Sequence, residues 1–593
     1  MLLWLLLLLS LLLFIIKFYK WCYHHLYQPY LDCQIHLQHV KSVTSIPNNP
    51  NALLDTVVIA GGSFAGLSTA IVLSPYFKQV IIVDRGHMIE NESITDSRQG
   101  QQAHVIAYRS LLIWDRLFPG FLKELEELVK TNKLCQFVAP NKELKYDYKG
   151  MNISDTSAMR KNPMVVATRG QVETVLRNRV RSELGNVKIY EGYSIASQGV
   201  HYEKKGNVLK ITSITATKIG ANNEDEQSNS VTFPCDLFVN CAGAGSHHLL
   251  KHIEKDLLSQ QQNQHSTSSQ TSLLTHSRID CKIRYQTILF EPKEGILDQD
   301  GKIALNTVEK VVNQNRKLGD IFTIVYHMLS YPRRRGFLAM PYSNHQYLIL
   351  IATYNQKMDP IDEENAKERV IEFAQQASSE NPLLEKDVRQ VMSKFKDRAV
   401  RVIPLYEKSG SEFVHYEHLK NNLEGFLAIG DSVASLNPIY GQGVTMAAES
   451  ALLVQDMIQK ELQKKTNENE TSLFQASFCS RVQDALSKSY FIPWLLCSTT
   501  DLSYDFANFT PDLKFQHWIS PIMCWLLDRL FQSASQYSWA TEYLLRVILM
   551  EQGFRKELMN PVWMFGYLFW KETLAIVCGV VATMYWMYSY SLF

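Results

Sequence analysis

The chain lacks the features that would assign it to several common protein classes. Its 60 lysines and arginines balance 59 aspartates and glutamates, for a net charge of +1, so it has no basic excess for binding nucleic acid. Its ten cysteines are scattered and form no CxxC pair. The sequence therefore predicts neither a metal site nor a disulfide-bonded scaffold. What it has is 593 residues with 46% hydrophobic content, enough for a large core and more than one domain.

Each end of the chain carries a long uncharged run. Residues 1–16 precede Lys17 and Lys20 and lack the basic start and the cleavage site of a signal peptide. Residues 574–593 are uncharged over a length that can cross a bilayer. These runs predict membrane anchors at 1–23 and 574–593. Because the flanking cations lie on the body side of both runs, we expect an integral membrane protein of the endoplasmic reticulum with its body in the cytosol.

Between the ends, the sequence predicts an α/β region and a β-rich region. Strand-like and helix-like patterns alternate in the α/β region, which comprises 55–115, 165–250 and 420–460. The β-rich region comprises 116–164 and 281–419 and shows period-2 patterns from 281 to 405. The Gln/Ser-rich stretch 258–277 is predicted as a low-complexity insertion without regular structure. Residues 461–570 are predicted to be mainly helical.

The stretch DTVVIAGGSFAG, residues 55–66, has the pattern of a strand, a glycine turn and the start of a helix. Gly61 suits a tight turn and Gly66 suits close packing of helix and sheet, which leaves the helix N-terminus open to a pyrophosphate. Asp84 ends the next predicted strand, where a ribose hydroxyl needs an acceptor. Ser63 replaces the middle glycine of the GxGxxG pattern. The pattern predicts a dinucleotide site, and a glycine-rich turn without a ligand is the alternative.

A second glycine turn, GDSVASLNPIYGQGVT at 430–445, lies late in the chain. Asp431 follows a short strand, and Gly441 and Gly443 precede a helix of small residues. One strand–turn–helix unit holds only the ADP half of a flavin dinucleotide. A second helix N-terminus and an acid can hold the ribityl chain and the second phosphate. The two turns together therefore predict a flavin dinucleotide.

These motifs are similar to those of one enzyme family. GGSFAG at 61–66, CDLFVNCAGAGS at 235–246 and the late GD turn at 430–445 resemble the flavoprotein monooxygenases of the para-hydroxybenzoate hydroxylase fold. Within that family, the resemblance is to an epoxidase-like branch of FAD-dependent oxidoreductases. It covers about residues 55–460, so the α/β region is expected to be a Rossmann-like FAD-binding domain and the β-rich region a substrate domain.

The resemblance implies FAD as the cofactor and assigns roles to individual residues. Ser63 and the flanking glycines would hold the pyrophosphate, Asp84 the ADP ribose, and Asp431 the ribityl chain. Arg98, with Gln101 or Gln102, would contact the phosphate or ribityl region. The complete predicted set is Gly61, Gly62, Ser63, Phe64, Ala65, Gly66, Asp84, Arg85, Arg98, Gln102, Asp431, Pro438, Gly441 and Gly443.

Several polar residues near these motifs have two interpretations. Arg169, Glu173 and Arg177 fall on one helical face, which is either part of the site or a solvated ion-pair face. His104 is either near the flavin or a structural histidine. The YPRRRG strip at 331–336 is either an anion site or ordinary surface charge. The sequence identifies no catalytic acid or base, since the chemistry would belong to the flavin.

Three functions are compatible with the sequence. The first is a membrane-bound FAD-dependent monooxygenase that hydroxylates or epoxidises a lipophilic substrate. The second is an FAD-dependent reductase or dehydrogenase of lipid double bonds, and the third is a flavin-free lipid or prenyl-protein carrier of related fold. Ala242-Gly243 stands where the hydroxylases have an Asp-Gly pair that helps to position NADPH. The electron donor is therefore open among NADPH, NADH and a separate reductase.

Overall fold

The computed structural model describes eight long stretches of the chain. They are 54–87, 104–130, 169–220, 229–264, 272–296, 324–342, 346–465 and 473–537. Short strands at 137–138, 144–149, 151–152, 164–166, 306–307 and 321–322 are also described, as are residues 102, 540, 541, 544 and scattered positions between 17 and 42.

The described residues form strands and helices with the following bounds. The strands are β1 Leu54–Ala60, β2 Phe77–Asp84, β3 Val105–Ile106, β4 Phe137–Val138, β5 Leu144–Tyr148, β6 Met151–Asn152, β7 Met164–Val166, β8 Val187–Glu191, β9 Tyr193–Lys205, β10 Val208–Lys218, β11 Ser230–Pro234, β12 Leu237–Asn240, β13 His276–Phe290, β14 Asn306–Thr307, β15 Ile321–Phe322, β16 Ile324–His327, β17 Arg335–Pro341, β18 Tyr347–Tyr354, β19 Arg401–Val402, β20 Tyr406–Val414, β21 Leu423–Glu424, β22 Phe426–Ala428, β23 Ala434–Ser435 and β24 Asn508–Phe509. The helices are α1 Phe64–Leu73, α2 Tyr108–Leu117, α3 Phe121–Lys130, α4 Arg169–Glu183, α5 Lys251–Gln264, α6 Ala366–Gln375, α7 Pro382–Met392, α8 Gly443–Lys465, α9 Ala476–Ser489, α10 Phe491–Leu502 and α11 Lys514–Gln536.

A five-stranded parallel sheet is the centre of the α/β region. Its order is β22–β12–β1–β2–β8, and all four pairings are parallel. Val57, Val58 and Ile59 of β1 are fully buried, as expected for a strand that is covered on both faces. Helices α1 and α8 pack in the core that includes Val57 and Ile59. The predicted mixed α/β architecture is therefore confirmed, with the strands drawn from the three predicted segments.

A ten-stranded sheet, which we call the large sheet, is the centre of the β-rich region. Its main path is β23–β20–β13–β18–β17–β16–β5–β6, and β19 and β24 also pair with β13. Strand β13 alternates buried and accessible residues at its start and is continuously buried from Tyr285 onward, where α6 and α7 cover the sheet. The segment 116–164 contributes β5 and β6 to this sheet. Its first helix, α3, packs in the α/β core through Phe121 and Leu125.

Of two other predicted segments, the first differs from its structure and the second agrees with it in the described part. The stretch 258–277, predicted as an insertion without regular structure, begins inside α5 and ends in the first two residues of β13. The predicted helical C-terminal region is helical from α9 to α11 in the part that the structure describes. Helix α11 leaves Phe515, Trp518 and Ile522 exposed, with Trp518 at 71%.

The predicted membrane localisation needs correction. Among the described residues, no helix has the length and hydrophobicity required to cross a bilayer. The expectation of an integral membrane protein of the endoplasmic reticulum is therefore contradicted. Of the predicted anchor at 1–23, only Lys17 and Lys20 are described, and the predicted span at 574–593 lies outside the described residues.

Candidate functional site

Three glycine-containing segments meet at one edge of the parallel sheet. The strands β1, β12 and β22 are adjacent and parallel, so the segments that follow them leave the sheet at the same edge, where α/β sheets bind ligands. A Cβ atom on Gly61 would lie 2.5 Å from the carbonyl oxygen of Cys241, and one on Gly430 would lie 2.8 Å from Cβ of Ala65. The two glycine turns are therefore close in space although they are far apart in sequence. Gly430 of the second turn packs against Ala65 of the first, and Gly61 packs against Cys241 after β12.

The first turn requires glycine at two positions. Gly61 has a φ of +96°, in the region that side-chain-bearing residues rarely adopt. A Cβ on Gly66 would lie 1.8 Å from the carbonyl oxygen of Gly61, which leaves no room for any other residue. Helix α1 follows with no acidic residue in its first turn. Its N-terminal N–H groups therefore present a partial positive charge at the sheet edge.

An arginine supports the serine that replaces the middle glycine. The Ser63 hydroxyl accepts a hydrogen bond from Nη2 of Arg169 at 2.7 Å and donates to Oε2 of Glu173 at 3.0 Å. Glu173 also pairs with Arg177, and both side chains are about 5% exposed. The interpretation of this helical face as a solvated ion-pair surface is therefore wrong. The face adds two arginines and one carboxylate beside the first turn, which favours an anionic ligand there.

Asp84 lies beside the same turn and already has partners. Its Oδ2 accepts a hydrogen bond from the backbone N–H of Gly62, and its Oδ1 accepts one from the N–H of Gly86 at 2.7 Å. A carboxylate has about four acceptor sites, so capacity remains for a ligand hydroxyl. The neighbouring Arg85 is exposed.

The second turn brings an acid to the N-terminus of α8. Gly430 and Gly441 have positive φ values of +70° and +65°, so both need glycine. The ideal Cβ position of Gly443 is 3.4 Å from Oδ1 of Asp431, which places this carboxylate at the first residue of α8. Among the described residues, the Asp431 carboxylate has no hydrogen-bond partner. Pro438 begins the short 3₁₀ helix Pro438–Tyr440 that leads into Gly441.

Two tyrosines that the sequence did not indicate lie close enough to the turns for charged residues there to influence their pKa values. The rings of Tyr285 and Tyr406 lie 5.2 Å apart, and the charge of Arg169 acts to lower the pKa of both hydroxyls. Burial, followed by the charge of Asp431, raises the pKa of Tyr406. Charge interactions therefore link Tyr406 of the large sheet both to Arg169, beside the first turn, and to Asp431 of the second turn.

Lys408 and Asp501 extend this polar region beneath the second turn. Nζ of Lys408 donates to Oγ of Ser435 at 2.7 Å and to the carbonyl oxygen of Leu436 at 2.8 Å, and burial lowers its pKa. Asp501 is fully buried on α10, and that burial raises the pKa of its carboxyl to about 6. No motif in the sequence marks either residue.

Three neutral donors surround the Asp501 carboxylate. It accepts hydrogen bonds from the Tyr354 hydroxyl at 2.9 Å, the Tyr440 hydroxyl at 3.1 Å and Nδ2 of Asn437 at 3.0 Å. Asn437 and Tyr440 belong to the second turn itself. The network therefore fixes the shape of that turn from inside the protein and can hold a proton next to it.

The predicted Arg–Gln–His stretch is only partly described. Arg98 and Gln101 lie outside the described residues. Nε2 of Gln102 donates to the carbonyl oxygen of Pro404 at 2.9 Å, just before β20. His104 bonds through Nδ1 to the carbonyl oxygen of Gln102, and burial, followed by the charge of Arg169, lowers its pKa to about 4. His104 is therefore neutral at physiological pH and close to Arg169.

The YPRRRG strip divides into one buried arginine and two that make exposed contacts, Arg334 with Asp505 and Arg335 with Gln376. Arg333 is buried and donates to Oδ1 of Asp147 at 2.6 Å. Nδ1 of His327 bonds the same aspartate at 3.2 Å, and its Nε2 bonds Asp387 at 2.7 Å. The first arginine of the strip is thus part of a buried ionic network in the large sheet, which we refer to as the His327 network.

The chain is similar to one curated protein and to several solved structures. No family model matches the chain. Protein Rv3254 of Mycobacterium tuberculosis is 20% identical over 499 residues, which cover 83% of this chain and 89% of that protein. A flavoprotein/dehydrogenase from Cytophaga hutchinsonii aligns at 13% identity over 89% of this chain and 99% of its own, with a TM-score of 0.48.

Two further solved structures are named for flavin-dependent or oxygenase activities. The p-nitrophenol 4-monooxygenase PnpA from Pseudomonas putida aligns at 12% identity over 84% of this chain and 99% of its own, with a TM-score of 0.47. The flavin-dependent halogenase CmlS aligns at 12% identity over 81% of this chain and 71% of its own, with a TM-score of 0.46. All three solved structures are 13% identical to this chain or less. At such identities and scores they do not assign an activity to this chain.

Proposed function

We propose that this chain binds FAD across the two glycine turns and is an FAD-dependent oxidoreductase. The observation that carries the proposal is the convergence of the two turns. The tight packing of Gly430 against Ala65 brings a helix N-terminus and an unpaired acid to the same sheet edge as a second helix N-terminus. A long ligand with phosphates at its centre and hydroxyls on both sides matches this arrangement.

The residues present fit an FAD molecule. The N–H groups at the start of α1, with Ser63 and Arg169, would hold the pyrophosphate, because both the dipole and the guanidinium favour negative charge. Asp84 would accept from the ADP ribose. Asp431, whose carboxylate has no hydrogen-bond partner in the described structure, would accept from the ribityl hydroxyls at the start of α8.

Bound flavin supplies the redox chemistry, and the protein supplies binding, orientation and protons. Tyr285 and Tyr406 present aromatic surface to the space between the turns and exclude water from it. The Asp501 carboxyl, with a pKa of about 6, can exchange a proton near neutral pH with the hydroxyl groups bonded to it. The buried amine of Lys408 adds a positive charge on the same side.

The finer proposal is a monooxygenase that acts on an apolar substrate, with NADPH or NADH as the electron donor. It is supported by the aromatic pair Tyr285 and Tyr406 and by the apolar core of the adjacent large sheet, which favour an apolar compound over a charged one. A reductase of apolar double bonds would use the same features.

Cofactor content tests the proposal directly. The purified wild-type protein is expected to be yellow, with absorbance near ~450 nm from its flavin. The variant Asp431→Ala should lose about 1.5–3 kcal/mol of FAD affinity, or about 10- to 100-fold, as expected for loss of an acceptor that is charged. Fluorescence titration of the apoprotein with FAD measures this change.

The matched control is Asp397→Ala. Asp397 is 90% exposed in an ion pair with Lys367, far from either turn in the fold, so FAD affinity should be unchanged. Colourless wild-type protein that does not take up FAD would disprove the proposal and favour the carrier. Equal affinity in both variants would show that Asp431 does not hold the cofactor.

Oxygen uptake separates the two enzymatic functions. With NADPH or NADH and a panel of apolar substrates, a monooxygenase consumes oxygen in proportion to substrate oxidised. A reductase instead reduces an alkene under anaerobic conditions. If neither nicotinamide reduces the flavin but dithionite does, a separate reductase is the electron donor.

A further inference from the structure

A cluster of histidines lies beside the flavin-binding edge, and the proposed function leaves it unused. His247 is in the 3₁₀ helix Ser246–Leu250, directly after Gly245. His276 begins β13, and Glu412 lies near the end of β20. Three elements that are separate in sequence therefore bring two imidazoles and a carboxylate together. Their potential ligand atoms all lie within 4.8 Å of one another.

The spacing of these atoms resembles a metal coordination sphere. Nδ1 of His276 lies 3.2 Å from Oε1 of Glu412. Ligand atoms at about 2.1 Å from a tetrahedral zinc ion stand about 3.4 Å apart, so this pair already has the separation of two zinc ligands. The rings of His247 and His276 lie 4.4 Å apart at 71°, so the second imidazole is adjacent. A shift of about 1 Å would close the set.

His247 provides independent evidence of a missing partner. Its Nδ1 atom is buried and has no hydrogen-bond partner among the described residues. A buried ring nitrogen without a partner costs about 1–3 kcal/mol unless a ligand satisfies it. The neighbouring His248, in contrast, donates from Nδ1 to the carbonyl oxygen of Gly245 at 2.8 Å. Of these two consecutive histidines, only His247 has a buried nitrogen left to bind an ion.

We propose that His247, His276 and Glu412 form a site for a divalent transition-metal cation of the zinc class. Two imidazoles and one carboxylate are a common ligand set for zinc, with water in the fourth position. Arg278 donates to Oε1 of Glu412 at 2.5 Å and is half exposed. It competes with the cation and must swing into solvent when the ion binds, so the affinity is lower than in an all-histidine site.

A second histidine cluster nearby is a poorer candidate. It contains His415, Glu417 and His418. Both ring nitrogens of His415 are already bonded, Nδ1 to Glu417 at 2.8 Å and Nε2 to Ser277 at 2.8 Å. Nδ1 of His418 bonds the Thr275 hydroxyl at 2.9 Å. A metal would have to displace hydrogen bonds in either cluster, but only the His247 cluster offers a buried ring nitrogen without a partner among the described residues, so it is the favoured site.

The ion would connect two parts of the fold. His247 follows Gly243 and Gly245, the glycine segment that meets the second turn through a 3.2 Å hydrogen bond from the Gly243 N–H to Oγ of Ser432. His276 and Glu412 belong to the large sheet. A bound cation would therefore connect the parallel-sheet edge to the large sheet.

Zinc titration of the full-length protein tests the site. After treatment with a chelator and its removal, isothermal titration with zinc should show one ion per chain, and zinc should raise the melting temperature. His247→Ala should weaken binding by more than the about 10- to 100-fold that loss of a supporting residue costs. The matched control His248→Ala, which removes a neighbouring imidazole, should bind within about twofold of wild type.

Each outcome decides the proposal. Loss of zinc binding in His247→Ala but not in His248→Ala supports the proposal. If His247→Ala does not fold, Glu412→Gln must show the same selective loss of zinc binding. Equal loss in both histidine variants, or no saturable binding to the wild type, overturns it. Loss only in His418→Ala would place the ion in the second cluster and also overturn it. FAD content, measured in the same samples, distinguishes failure of this site from failure of the flavin site.

Discussion

The glycine-turn edge of the parallel sheet and the His327 network both keep charged groups inside the protein, but they differ in how those groups are satisfied. In the His327 network, every charge has a partner: His327 is fully buried between Asp147 and Asp387, and Arg333 neutralises Asp147. At the glycine-turn edge, Asp431 has no hydrogen-bond partner among the described residues, and a helix N-terminus faces it. A closed network indicates a structural role, whereas an open one indicates a ligand.

The largest expected effect tests the backbone at the glycine-turn edge. Gly66→Ala should abolish FAD binding and destabilise the fold, because its Cβ would lie 1.8 Å from the Gly61 carbonyl oxygen. Thermal melting and flavin content measure both effects. Gly185→Ala is the control, since nothing lies within 4 Å of its added Cβ. A yellow Gly66→Ala protein with a normal melting temperature would contradict the close packing of the first turn.

The second effect tests the closed network. His327→Ala should lower the free energy of unfolding by about 3–5 kcal/mol, because it leaves two buried carboxylates with one cation. Burial opposes the charged imidazole, but the hydrogen bonds and charges of Asp147 and Asp387 outweigh it and raise the pKa of His327. Its stabilisation is therefore complete below pH 6.5 and is lost as pH rises through the folded-state pKa.

Chemical denaturation across this pH range measures the effect of His327→Ala. His201→Ala is the control, because His201 bonds only the Thr215 hydroxyl at an exposed position. FAD affinity should be unchanged in a folded His327→Ala protein. Loss of flavin without loss of stability would mean that the His327 network belongs to the binding site.

A smaller effect distinguishes two arginines on one helix. Arg169→Gln should weaken FAD binding about tenfold, or about 1.4 kcal/mol, because it removes a charge beside Ser63. Arg179 lies on the same helix with the same side-chain exposure of 19%, but it pairs with Glu183 and Glu124 instead. Arg179→Gln should leave FAD affinity unchanged. Equal weakening in both variants would show that the effect is the general charge of α4.

The last effect concerns Asp501, the buried carboxylate that is bonded to Asn437 and Tyr440 of the second turn. Burial raises its pKa from 3.8 to about 6, so the folded state holds a proton that the unfolded state releases between these values. Stability from this group therefore falls as pH rises from about 4 to 6, and Asp501→Asn should flatten that slope. Denaturation curves at several pH values measure it, with the exposed Asp505→Asn as control. An unchanged slope would show that Asp501 does not titrate there.

The glycine motifs could be predicted because their physical cause is local. A turn that needs positive φ at Gly61 and close helix packing at Gly66 restricts residue type within six positions, so the pattern is visible in the sequence. Asp84 and Asp431 were recognisable for a similar reason, since Asp84 ends an apolar strand and Asp431 closely follows one. The packing of α3 could not be predicted in this way, because Phe121 and Leu125 are equally suited to either core.

Sequence alone thus determined the mixed α/β architecture, the two glycine turns and the family that they resemble. Tertiary structure decided which buried polar groups have hydrogen-bond or ion-pair partners within the described structure and which do not. No spacing in the sequence connects the strands and helices that contribute Asp501, Lys408 and the His327 network. Likewise, His247 and His276 meet because the start of β13 lies beside the 3₁₀ helix that follows β12. The physical reason is that backbone conformation depends on neighbours in the chain, whereas the satisfaction of a buried charge depends on neighbours in space.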